Sequence, residues 1–130
     1  MRILIIKGQS QYGGTRLFAD QAAQAFERRG QAVEVLDVGD VADAGPRLLA
    51  HAPTASVDLV FSINIAGEFR DSLGRTLSGL YGAPHVVWHT DYILSQVARL
   101  RGTPKSTAVL LVDPTQIGRA SCRERVYGLV

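Results

Sequence analysis

The first thirty residues, MRILIIKGQSQYGGTRLFADQAAQAFERRG, constrain the fold more than any other stretch of the chain. Ile3-Leu4-Ile5-Ile6 is a continuous apolar run, short and rich in branched side chains, as expected of a strand buried on both faces. Lys7 to Gly14 is too polar and glycine-rich to extend it. From Thr15 onward, Leu17, Phe18, Ala22, Ala25 and Phe26 recur at helical spacing. Gly30 ends that helix, and Arg28 and Arg29 lie near its negative end. Strand, glycine loop and helix in this order open an α/β sheet, with the loop at the carboxyl edge where ligands bind. The N–H groups of Gly13, Gly14 and Thr15 then face the cleft and suit an anion.

Gly8 to Thr15 reads G-x-x-x-x-G-G-T, one residue away from a P-loop. The replaced residue is the lysine that contacts the terminal phosphates, and Gly14 has no side chain to do that work. Hydrolysis of a nucleoside triphosphate is therefore not expected. The glycines serve either a sharp turn or a ligand site.

Further strands follow at regular intervals. Ala32 to Val38 alternates and is rich in valine, and the strand–helix–strand unit implies a right-handed parallel crossover. Asp37, at its end, is either a ribose-binding acid or a capping or solvated one. A short helix is expected to start near Pro46 and to carry Leu48 and Leu49. Val57 to Ile63 reads as a third strand, followed by Asn64 and a loop, Ile65 to Arg70. Asp71 to Leu80 reads as a helix weakened by Gly74 and Gly79. His85 to Trp88 is a fourth strand, and Tyr92 to Leu100 an amphipathic helix that Thr90 or Asp91 would cap. Thr107 to Val112 is a fifth strand, ending at Asp113-Pro114. Five strands alternating with helices predict one Rossmann-like, doubly wound α/β domain.

The 130 residues carry a net charge of +2. Three arginines against one glutamate after Gln116 account for it, leaving 11 basic and 11 acidic residues in 1–116. Ile117 to Val126, IGRASCRERV, resembles the conceptual translation of a sequencing-adapter read-through. Residues 117–130 are therefore expected to be a non-native tail. The only cysteine, Cys122, lies in it, so neither the basic pI nor the thiol points to nucleic acid or redox chemistry. No apolar run approaches the ~20 residues of a membrane span, and no apolar leader segment follows Arg2. The expected location is cytoplasmic, with no nucleic-acid partner.

A parallel sheet gathers Lys7 to Thr15, Asp37, Asn64 to Arg70, His89 to Asp91 and Asp113 along one edge. His89 and Asp91 are the candidate catalytic pair, a base near neutral pH and a carboxylate to orient it. Asp91 also reads as a helix cap. Gly13, Gly14, Thr15, Asn64, Glu68 and Asp113 are the candidate substrate-binding residues, with Arg70 a further polar contact. His51 and His85 have no companions at metal-ligand spacing, so no metal is expected. No G-x-S-x-G elbow occurs.

Three segments then carry a resemblance. DLVFSIN (Asp58 to Asn64), GAPHVVWHTDY (Gly82 to Tyr92) and AVLLVDPTQ (Ala108 to Gln116) resemble, in order, the N-terminal half of CgeB-like (spore-maturation-type) glycosyltransferases. The likeness covers most of Met1 to Gln116. It implies a GT-B enzyme of two Rossmann-like domains, with a sugar passed from a nucleotide-sugar donor to an acceptor in the cleft between them. In that family the donor is held mainly by the C-terminal domain, so this half supplies acceptor contacts and one wall of the cleft. It needs no cofactor of its own, and as a fragment is expected to be inactive. The family's carboxyl-edge positions fall on Gly13, Gly14, Asn64, Asp91 and Asp113. The chain departs at His89, where an aliphatic residue is usual, and at Tyr92-Ile93, where a proline often follows.

The opening, Met1 to Ala19, also resembles the flavodoxin-like FMN reductases, whose first loop would hold the FMN phosphate. Asn64 to Leu80 lacks the P-x-Y and lysine–aspartate pattern usual after their third strand. A non-enzymatic small-ligand-binding α/β module is the third reading. A receiver domain would need an acid pair where Lys7-Gly8 stands.

Overall fold

The computed structural model describes residues 1–9, 13–64, 66–90, 97–111 and 126–128. Its elements are β1 (Arg2–Gly8), α1 (Gly14–Arg28), β2 (Ala32–Gly39), α2 (Val41–His51), β3 (Leu59–Ile63), α3 (Leu77–Tyr81), β4 (His85–His89), α4 (Val97–Gly102), β5 (Thr107–Leu111) and β6 (Val126–Gly128). A single turn of 3-10 helix, Ala52–Thr54, follows α2. The sheet is parallel throughout, in the order β2-β1-β3-β4-β5-β6.

The faces follow from that order and a single hand of crossover. From β1 the chain moves one way to β2 and then steps in the opposite direction through β3, β4 and β5. With one hand throughout, α1 must cover one face and α2, α3 and α4 the other. The core divides accordingly. Ala19 and Ala23 of α1 pack with Ile3, Ile5, Phe61 and Ile63. Leu48 of α2 and Leu77 of α3 pack with Leu4, Ile6, Val38 and Val60. Leu100 of α4 lies against Val87, Val109 and Leu111. The domain is thus an α/β doubly wound sheet, as the strand–helix alternation predicts. Ile3, Leu4, Ile5 and Ile6 are all buried, each contributing roughly 1.5–3 kcal/mol.

Helix α1 ends as predicted. Gly30 has φ +76°, its N–H donates to Glu27 O (2.8 Å) and that of Gln31 to Phe26 O (3.1 Å). This Schellman pairing satisfies carbonyls of the last turn and needs a residue tolerant of positive φ.

Local differences from expectation have local causes. Helix α2 begins at Val41 rather than near Pro46, which lies inside it. Proline removes one backbone donor, and burial of Leu48 against β1 and β3 outweighs that loss. The helix expected over Asp71 to Leu80 shrinks to Leu77–Tyr81. Asp71 Oδ1 accepts the backbone N–H groups of Leu73 (2.9 Å) and Arg75 (2.8 Å), and Oδ2 accepts Arg75 Nε (2.7 Å). That side chain holds a turn instead of a helix, and Gly74 completes it with φ +75°. Thr76 then caps the short helix, its Oγ1 accepting Gly79 N–H at 3.1 Å. Of the amphipathic helix expected over Tyr92 to Leu100, residues 91–96 lie outside the described residues.

The sixth strand was not expected. Val126–Gly128 pairs in parallel with Val109, Leu110 and Leu111. The ladder is made by backbone groups, so pairing of this kind is independent of side chains and of where those residues come from.

A polar network crosses the sheet. Ser62 Oγ lies 2.8 Å from His85 Nε2, and Thr107 Oγ1 lies 3.4 Å from Nδ1, all three residues being buried. Burial holds the His85 imidazole neutral and lowers its pKa from 6.5 to about 4. The unfolded chain therefore binds this proton first as pH falls, and stability is lost between about pH 6.5 and pH 4. Chemical denaturation should show a loss of roughly 3 kcal/mol over that window, absent in His85→Gln. An equally steep loss in His85→Gln would assign the effect to other groups.

Candidate functional site

The chain reverses its direction across the sheet at β1, whose neighbours are β2 and β3. Such a switch point opens a crevice outside the carboxyl ends of the two strands flanking it. Lys7 and Gly8 end β1, and the first residue after β3 is Asn64.

On the β1 side the crevice meets the start of α1. Gly13 is the N-cap with φ +73°, and no side chain caps the helix. Its first turn carries no acid and includes Arg16. Among the described residues, a Cβ added at Gly13 or Gly14 would meet nothing within 4 Å. The helix start thus offers N–H groups that no side chain of the described residues covers.

The nearby charges are paired. Lys7 Nζ binds both carboxylate oxygens of Asp20, at 2.6 and 2.7 Å. Arg16 binds Asp37 with two nitrogens, at 3.1 and 2.5 Å, and also reaches Gly8 O at 3.4 Å. A cation is unfavourable in a first helical turn, and Asp37 at the end of β2 compensates it. The hydrogen bond from Arg16, helped by Gly39 N–H and the charges of Arg16 and Lys7, lowers the Asp37 pKa to about 2 against burial. The same pairing raises the pKa of Arg16. Asp37 is therefore committed to protein contacts, as the partner of Arg16 and of the Gly39 N–H, a role that neither of its sequence readings named.

On the β3 side, Asn64 is 5% exposed. Its Nδ2 donates to Thr90 Oγ1 and its Oδ1 accepts the Thr90 N–H, both at 2.8 Å. Glu68 accepts from Arg99 Nε of α4 at 2.8 Å. Arg70 donates to the carbonyls of Glu68, Phe69 and Gly102. His89 ends β4 and is 1% exposed, enclosed on the same face as Val87.

Gly13, Gly14, Thr15, Asn64 and His89 thus lie at the carboxyl edge, as the parallel arrangement predicts, whereas Glu68 lies against Arg99 and Gly102 of α4. Asp91 and Asp113 lie outside the described residues. Thr90 as the partner of Asn64 was missed, because the sequence alone does not reveal the β3–β4 register. The Arg16–Asp37 pair left one signal, an arginine in a first helical turn. Among the described residues no cluster of histidine, cysteine or acids suits a metal ion, and no helix is long and apolar enough to cross a membrane.

An open groove of about 370 Å³ lies at the opposite, amino-terminal edge, lined in part by Arg2, Glu34, His51 and Ser56. Its polar groups are engaged with one another. His51 Nε2 lies 2.8 Å from Glu34 Oε1, and Nδ1 lies 3.1 Å from the Tyr81 hydroxyl. Burial, with the Glu34 charge, pushes the Tyr81 pKa up to about 12. Arg2 binds Ser56 through its side chain and Asp58 through its backbone N–H. With both imidazole nitrogens occupied and the phenol held neutral, this cluster ties α2 to β2 and α3. The carboxyl edge is the better site, because there the backbone donors of a helix start meet a switch point.

Comparison with known protein families, with characterised proteins and with solved structures yields no match.

Removing the guanidinium in Arg16→Ala should return Asp37 from about 2 toward the ordinary 3.8 in a carboxyl NMR titration. A depressed carboxyl stabilises the fold above its unfolded pKa, and that contribution is lost as pH falls through the folded value. Both partners are substantially exposed, so the cost near neutral pH should be small. An unmoved Asp37 titration would show that the pair does not persist in solution.

Proposed function

We propose that Met1 to Gln116 forms the acceptor-side lobe of a GT-B glycosyltransferase that uses a nucleotide-sugar donor. One observation carries this reading. The three segments that resemble CgeB-like enzymes include β3, β4 and β5 with their carboxyl ends. Two of these ends, at Asn64 and Thr90, are hydrogen-bonded together beside the crevice. The open start of α1 suits a glycine-lined approach for a polar acceptor or a donor phosphate reaching across from a second lobe. His89 and Asp91 are the pair proposed to act on the acceptor hydroxyl, and His89 must become less enclosed to do so.

The strand order favours a second reading. Flavodoxin-like sheets run 2-1-3-4-5 and hold FMN at the β1/β3 switch point, and this chain begins with the same order. A flavin ring also needs aromatic or apolar cover from later loops. The described loop after β3 is Ala66-Gly67-Glu68, and the next residue, Phe69, packs into the Leu48–Leu77 core. Lys7 and Arg16, the cations nearest the first loop, are held by Asp20 and Asp37.

The purified chain should therefore be colourless and leave micromolar FMN unbound in a fluorescence titration. In the complete enzyme, Gly14→Val should lower transfer by more than about tenfold. Its folding cost should stay near ~0.5 kcal/mol, for a first-turn valine whose Cβ meets nothing within 4 Å among the described residues. Yellow protein with stoichiometric FMN would move the assignment to a flavin reductase. Full transfer by Gly14→Val would reduce the loop to a turn.

A further inference from the structure

The two edges of the sheet are built unequally. The strand β6 closes one with three residues, whereas β2 closes the other with eight and is the longest strand of the sheet. Exposed edges are ordinarily blunted by shortness, lysine, proline or a bulge. The β2 sequence AVEVLDVG contains neither lysine nor proline, and its ladder with β1 is regular until Gly39. Its two acids are engaged within the chain, Glu34 by His51 and Asp37 by Arg16. Val35, between them, is 41% exposed. The direction of each backbone group follows from one bond. Ala32 N–H donates to Met1 O at 3.0 Å, and successive residues of a parallel strand point their N–H and C=O to opposite sides. Ala32, Glu34 and Leu36 therefore face β1. Val33, Val35 and Asp37 face outward, where no strand among the described residues pairs with them. The Asp37 carbonyl accepts Arg47 Nη1 at 2.9 Å.

We propose that β2 is the docking edge for a second copy of this chain, paired antiparallel about a two-fold axis at Val35. In that register Val35 exchanges both of its backbone bonds with Val35 of the copy. Val33 does the same with Asp37 of the copy, whose carbonyl oxygen has room for a second donor beside Arg47. Glu34 comes opposite Leu36, so no acid opposes an acid. The pairing cannot slide toward the start of the strand, because the Gln31 N–H is held by Phe26 O. Charge favours a copy turned end for end. Arg28 and Arg29 outweigh Glu27 where the strand begins, and Asp40 and Asp43 outweigh Arg47 where it ends, all of them exposed. Antiparallel apposition brings the basic end of each strand to the acidic end of the other. The two carboxyl edges then point in opposite directions, so both crevices stay accessible, and the pairing does not depend on what binds there.

The test uses the whole 130-residue chain. Sedimentation velocity from micromolar to near-millimolar concentration should show monomer passing to dimer. Amide exchange should slow with concentration at Val33, Val35 and Asp37 and stay unchanged at Glu34 and Leu36, whose N–H groups already face β1. Val35→Lys sets two like charges directly opposite and should weaken the dimer roughly fivefold or more, as should Val35→Glu. An equimolar mixture of those two variants should associate again, which a fault in folding would not allow. Val35→Pro removes a donor that the fold does not use and should leave the chain folded and monomeric. Should Val35→Pro fail to fold, the comparison of Val35→Lys, Val35→Glu and their mixture decides. A chain that stays monomeric at every concentration overturns the proposal. So does a dimer that Val35→Lys leaves unweakened, or one whose concentration-dependent protection falls on Val126 to Gly128 instead.

Discussion

Burial of β1 on both faces is the constraint on which everything else depends. Its four consecutive apolar residues are covered by α1 on one side and by α2 and α3 on the other. Both of its edges are hydrogen-bonded, to β2 and to β3. A strand so enclosed has nowhere to place polar side chains except at its ends. Lys7 accordingly appears where the strand leaves the core, paired with Asp20 of α1. The transition from core to site takes place within two residues.

The site is a consequence of that position. Because β1 separates the two directions in which the sheet is built, the connections on its two sides pass over opposite faces. The loops leaving β1 and β3 therefore diverge and leave a crevice between them. Each wall is built differently. The β1 wall is a helix start with open glycines, its arginine neutralised by Asp37. The β3 wall is the end of the strand itself, where the Asn64 amide is bonded to Thr90. One wall offers backbone donors and the other holds its shape.

Much of this was legible in the residues. The runs at Ile3 to Ile6, Ala32 to Val38, Val57 to Ile63, His85 to Trp88 and Thr107 to Val112 read as strands because they are short, rich in branched side chains and bounded by loop residues. Gly30 marked the end of α1 because a Schellman turn needs positive φ. Strand order was not legible, since periodicity identifies elements without pairing them. The turn at Asp71 was missed because one carboxylate competing for two backbone N–H groups outweighs the apolar spacing that follows it. At the site, the edge residues were legible from the parallel arrangement alone. The Asn64–Thr90 bonds were not, because they join residues 26 positions apart and depend on register.

The location of ligand binding tests the account most directly. Amide chemical shifts of the chain should be mapped as inorganic phosphate, standing in for the donor's phosphates, is added. Perturbations should gather at Gly13, Gly14 and Thr15, the start of α1. Perturbations gathered instead at Arg2, Glu34 and Ser56, in the groove at the amino-terminal edge, would contradict it.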